Sequence, residues 1–176
     1  MVTNSELQRV GLSGWRTGLA NLLRKENRAW WASRRWLVQG LVWTVLMNGT
    51  VALNLYVDGV KGDRVVMAIA QLFQMGALAL PIGAVLLAHG ETVSERQLGV
   101  TEWLLSKPVA RSAYVLSKLL AHSLGVLAIL VGLQGAIAYG HVSLAMGKPF
   151  PLAPYLVGMA GLAVHTFFYL ALTLMM

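Results

Sequence analysis

Four long apolar runs dominate the pattern of this chain, roughly Leu37–Val57, Val65–His89, Leu119–Gly140 and Pro154–Met176. None contains Asp, Glu, Lys or Arg. Each is long enough to cross a hydrocarbon layer of about 30 Å as a helix, which takes about 20 residues at about 1.5 Å each. One core of a 176-residue soluble protein could not cover four such helices. The pattern predicts an all-α, polytopic membrane bundle with four transmembrane helices. An amphipathic helix precedes them: Leu12, Trp15, Leu19, Leu22, Leu23 and Trp30 share an arc of about 100° at helical spacing. Arg16, Asn21, Arg24, Lys25, Asn27 and Arg28 lie off that arc.

This divides the chain into an N-terminal segment, 1–35, and a transmembrane domain, 36–176, with a polar loop at 91–118 between the second and third spans. The amphipathic helix suits the inner headgroup layer, its basic face reaching phosphates and its Trp residues at the boundary. Glu26 breaks the apolar arc. Its expected partner is a neighbouring or i,i+4 arginine, or it snorkels out; a polar contact to another subunit is the sharper alternative. Trp30, Trp31 and Trp36, with Arg34 and Arg35, form an interfacial belt before span one.

Composition agrees. Hydrophobic residues make up 57% and charged residues 12%, against about 25% charged in soluble domains. With no cysteine there is no disulfide framework and no thiol chemistry. The net charge of +7 sits beside membrane spans, so it points to anionic lipid and topology rather than to nucleic acid. Seven Lys/Arg precede span one and four follow span two (Arg96, Lys107, Arg111, Lys118), against three in the other two gaps (Lys61, Arg64, Lys148). The positive-inside rule therefore puts the N-terminus and the 91–118 loop in the cytoplasm. Residues 1–35 lack the apolar core of a signal peptide.

Within the spans, Pro81 is expected to kink span two. Gly83, Gly125, Gly132, Gly135, Gly158 and Gly161 permit close helix approach. Gln39, Asn48, Gln71, Gln74 and Gln134 are expected to face other helices, a polar substrate path being the functional alternative. His89, His122, His141 and His165 show no metal-ligand spacing. The apolar run continues to Met176 without a polar cap, which leads us to expect that the sequence is a piece of a longer protein.

The 91–118 loop carries the functional signal. Thr101 can cap a short helix and Glu102 suits its first turn. Pro108 ends it. Trp103, Leu104 and Leu105 are apolar outside the bilayer, so this helix wants a membrane surface or a protein groove. Ser112 can cap the start of span three.

The order Glu95, Gly99, Thr101, Glu102, Leu104, Leu105, Ser106, Pro108, Val109, Arg111 and Lys118, with the basic Trp-rich segment Leu23–Trp36, resembles the permease subunits of ABC-2-type ATP-binding-cassette transporters. The resemblance implies a connecting helix at Leu12–Trp30 and a coupling helix at Gly99–Leu105 that docks on a cytoplasmic ATP-binding subunit. It makes Glu95, Glu102 and Arg111 candidate contacts or gate-helix anchors. It also implies two further spans, a second permease copy as homo- or heterodimer, ATP and Mg held by the partner subunit, export, and a bacterial inner membrane. The chain has no G-x-x-x-x-G-K-[ST] and is not expected to be an enzyme. The rival readings are a non-transporting anchor that recruits a partner, an intramembrane protease built on Ser123 and His165, and an ion-coupled carrier using His122 or His165.

Overall fold

The computed structural model describes residues 17–57, 63–97 and 110–175, with Arg35 and 90–97 described by their backbone alone. The described residues are helical, without strands. Helix α1 (Leu19–Ala32) follows Gly18, whose φ of 83° is open to a residue without Cβ. Span one is α2 (Arg35–Trp43), a π-helical stretch Thr44–Asn48, and α3 (Gly49–Tyr56). Span two is part of α4 (Arg64–Gln97), a single helix through Pro81. Asp63 starts it: its Oδ1 accepts the Val65 N–H at 2.9 Å and the Val66 N–H at 3.3 Å. Span three is α5 (Arg111–Val126), a π-helical stretch Leu127–Leu133, and α6 (Gln134–Met146). Gly147, at φ 66°, ends α6 in the left-handed conformation, and span four is α7 (Leu152–Met175).

Among the described residues four helices are long and apolar enough to cross a membrane: Trp36–Tyr56, Arg64–His89, Arg111–Met146 and Leu152–Met175. Span three is the central one. It is buried over 56% of its most apolar stretch, against 28% for spans one and two and 17% for span four. The outward faces carry large apolar side chains such as Leu41, Leu78, Leu86 and Val164, as expected where lipid is the solvent. Met47, Val51, Leu72, Leu80, Leu130 and Leu170 fill the core.

Glycines make the crossings. A Cβ on Gly83 would lie 2.7 Å from the Trp43 ring, one on Gly158 2.4 Å from Phe73, and one on Gly135 2.3 Å from Met159. Each is a site where a large side chain enters the space a side chain would occupy. Gly161 meets nothing within 4 Å and Gly132 only a backbone oxygen of its own span. The expectation of close approach fails at these two because their small faces point away from the neighbouring helices.

Two boundaries differ from the apolar pattern. Helix α4 has 34 residues and the third span 36, about 50 Å each at 1.5 Å per residue, well beyond a core of about 30 Å. The polar residues flanking the apolar runs are helical too, because local hydrogen bonding does not stop at the hydrocarbon edge. Span three therefore begins at Arg111, with Ala110 as the capping residue and no side-chain cap. Ser112 is inside the first turn, not the cap.

Candidate functional site

At the basic end of the bundle α1 packs along α5, and the two run parallel. Ala110 N–H donates to Thr17 O at 3.3 Å, Glu26 meets Lys118, and Trp30 meets His122 and Gly125. The buried stripe of α1 is Leu22, Glu26 and Trp30, four residues apart. Leu19 and Leu23 are half-buried. Thus the part of the apolar arc that lies in α1 exists, but protein rather than lipid covers much of it; Leu12 and Trp15 lie outside the described residues.

Glu26 corrects the sequence expectation most clearly. It neither snorkels nor pairs with an arginine. Its side chain is 7% exposed, and its Oε2 lies 3.6 Å from Nζ of Lys118, itself 8% exposed. Oε1 lies 3.5 Å from the exposed Lys25. Lys118 also stands 5.5 Å from the Tyr114 ring centroid, so it turns into the bundle rather than toward headgroups. A carboxylate buried this far from water needs such a counter-charge. The sequence missed the pair because its members belong to different helices.

Trp30 closes the joint. Its ring centroid lies 5.7 Å from that of His122, edge on, and a Cβ on Gly125 would fall 2.2 Å from the indole. The glycine is what lets the indole cross the α5 backbone. Trp30 Nε1 is buried without a hydrogen-bond partner. His122 Nδ1 donates to the Lys118 carbonyl at 2.9 Å.

A second polar cluster lies where the end of span one's π-helical stretch meets the first residue of α6. Asn48 Nδ2 donates to Gln134 Oε1 at 2.9 Å, and Gln134 Nε2 donates to the Ile129 carbonyl at 3.1 Å. Both side chains are almost fully buried. A π stretch re-aims backbone carbonyls, and Gln134 uses one of them. Asn48 Oδ1 is buried without a partner. Gln74 does not follow the rule of facing a helix: it lies on the exposed side of span two, while Gln71 is half-buried.

His165 Nε2 donates to the Ala77 carbonyl at 3.0 Å. Ser123 Oγ donates to the Leu119 carbonyl, so the structure does not bring Ser123 and His165 together. Among the described residues no three His, Asp or Glu side chains converge as a metal site would require. An apolar groove of about 510 Å³ opens between spans three and four, lined by Leu127, Val131, Tyr139, Tyr155 and Met159 among others. The Tyr155 hydroxyl is turned away into the Gly135 carbonyl at 2.6 Å.

Of the residues expected to couple to a partner, Arg111 is the exposed first residue of α5 and Glu95 lies in the last turns of α4. Gly99, Thr101, Glu102, Trp103, Leu104, Leu105 and Pro108 lie outside the described residues, as does Trp15. The described helices bracket the segment expected to couple: it joins the end of α4 to the start of α5, the helix that carries α1.

The chain is 32% identical over 114 residues to a probable ABC transporter permease protein, NosY, of Stutzerimonas stutzeri. That match covers 64% of this chain and 41% of the relative, so the chain accounts for about two fifths of that protein's length. No solved structure matches. The family described as ABC-2 family transporter protein matches residues 20–176, from the second residue of α1 to the end of span four, and the chain belongs to that family of membrane proteins.

Proposed function

We propose that this chain is the membrane-spanning part of an ABC-2-type permease, driven by a separate ATP-binding subunit that docks on the segment between α4 and α5. The observation that supports this most is the length of the two flanking helices. Beyond the apolar runs, which end at His89 and begin at Leu119, each stays helical for eight further residues on the side of the docking segment, about 12 Å at about 1.5 Å per residue, so each is a continuous lever from the docking segment into the bilayer. Closure of the ATPase subunits on ATP would push the docked segment. Spans two and three would carry the motion inward as rigid bodies.

Helix α1 moves with span three in this reading, because a buried ion pair and the Trp30–Gly125 contact join them. ATP and Mg belong to the partner, which supplies the hydrolytic chemistry; this chain transmits force. A second permease copy completes the pore. The N-terminus and the docking segment lie in the cytoplasm of a bacterial inner membrane, the direction is export, and the apolar groove suits an apolar or amphipathic cargo better than an ion.

The test is purification of the tagged full-length protein in mild detergent with mass spectrometry of what it retains. A P-loop ATPase in near-equal amount is expected. Glu102→Arg and Leu104→Arg should then abolish permease-dependent stimulation of that ATPase with membrane insertion unchanged. A retained partner without a P-loop, or intact stimulation in both variants, would move the reading to a membrane anchor that recruits a cytoplasmic protein.

A further inference from the structure

Pro81 leaves a defined defect in span two. A proline inside a helix has no N–H, so the carbonyl four residues earlier loses its helical donor. That carbonyl belongs to Ala77, and it is the one to which His165 of span four donates at 3.0 Å. Because a carbonyl only accepts, this contact requires the hydrogen on Nε2. In a bilayer an unmet backbone carbonyl has no water to turn to, and a neighbouring helix is one of the few sources of a donor.

The surroundings aim the imidazole. One turn from Ala77, Phe73 lies over Gly158, and Leu162 lies 2.9 Å from the Cβ position of Gly76. Two glycine crossings thus bring spans two and four close enough for a side chain of histidine length to reach the backbone. Tyr169, one turn on, meets the His165 ring edge on with centroids 5.1 Å apart, which limits its rotation.

We propose that His165 is the external hydrogen-bond donor for the proline gap of span two, and that it thereby sets the angle between the two halves of that span and ties it to span four. It is a positioning residue that acts through the Ala77 carbonyl. The proposal does not depend on which partner drives the protein.

The measurement is a distance distribution between spin labels at Val66→Cys and Leu86→Cys in the full-length chain in lipid nanodiscs. Both sites are exposed, they flank Pro81, and the chain has no native cysteine. His165→Ala should widen the distribution and lower the melting temperature by about 2–4 °C, as expected for one interhelical hydrogen bond in a domain of this size. His165→Gln, which keeps a donor, should restore most of both. The deciding arm is Pro81→Ala, which returns an N–H to the helix: in that background His165→Ala should change neither distribution nor melting. An equal loss with Pro81 or Ala at position 81 would mean that the imidazole only packs, and would overturn the proposal. So would a silent His165→Ala in the native background.

Discussion

Gln134 is nearly fully buried in apolar surroundings, and its two ends satisfy a side chain of span one and a carbonyl of its own span. Replacing it with Leu leaves the Asn48 amide buried without its acceptor, which should cost about 1–2 kcal/mol. The double variant Asn48→Leu/Gln134→Leu should cost less than the sum of the singles, because it removes both ends of the bond. Thermal melts of the four proteins in one detergent check this. Gly125 makes a steric case. Gly125→Leu puts a side chain where the Trp30 indole lies, and overpacking of this kind costs about 1–3 kcal/mol. Trypsin should then cut faster after Arg24 and Lys25. Gly161→Ala, with nothing within 4 Å, should melt like the parent. The sequence marked all these residues as polar or small within a span. Which glycine receives a ring and which faces lipid depends on the rotation of each helix, and that is set by neighbours distant in the chain.

Among elements, the contact that matters most is α1 on α5. The amphipathic period of α1 was visible in the sequence, and so was the exception at Glu26. The answer to the exception was not, since Lys118 looks like any other basic residue near a headgroup layer until α1 is laid parallel to α5. Charge reversal tests the pair. Glu26→Lys should destabilise the joint by about 3 kcal/mol, the range for disrupting a buried pair. Glu26→Lys/Lys118→Glu should recover a good part of the loss. Protease cutting within α1, followed against temperature, reads the effect on the joint itself. The spans were also visible as apolar runs, but their helical lengths were not. Hydropathy reports where hydrocarbon ends; the backbone continues its hydrogen bonding through Gln97 at one side and from Arg111 at the other.

For the whole molecule, charge asymmetry makes the strongest testable statement. The absence of cysteine means that a single introduced thiol reports its own side of the membrane. In sealed right-side-out vesicles an impermeant maleimide should label Lys61→Cys and Lys148→Cys and leave Arg96→Cys unlabelled until the vesicles are opened. The reverse pattern would invert the proposed orientation and take the proposed docking segment away from any cytoplasmic ATPase. Four apolar runs, a chain without charges inside them and a basic first segment were enough to dictate a multi-pass helical protein. The reason is that a bilayer core accepts only backbone that satisfies itself. The order of residues from Glu95 to Arg111 was enough to point to the ABC-2 family. Only the tertiary structure decided that span three is central, that Glu26 faces Lys118, that Asn48 at the end of span one's π-helical stretch meets Gln134 at the start of α6, and that His165 answers the carbonyl left by Pro81. Hydrocarbon exposure and helix formation are local properties of a segment. Pairing across helices depends on rotation and register, and those are decided by residues as many as 95 positions apart, as Trp30 and Gly125 are.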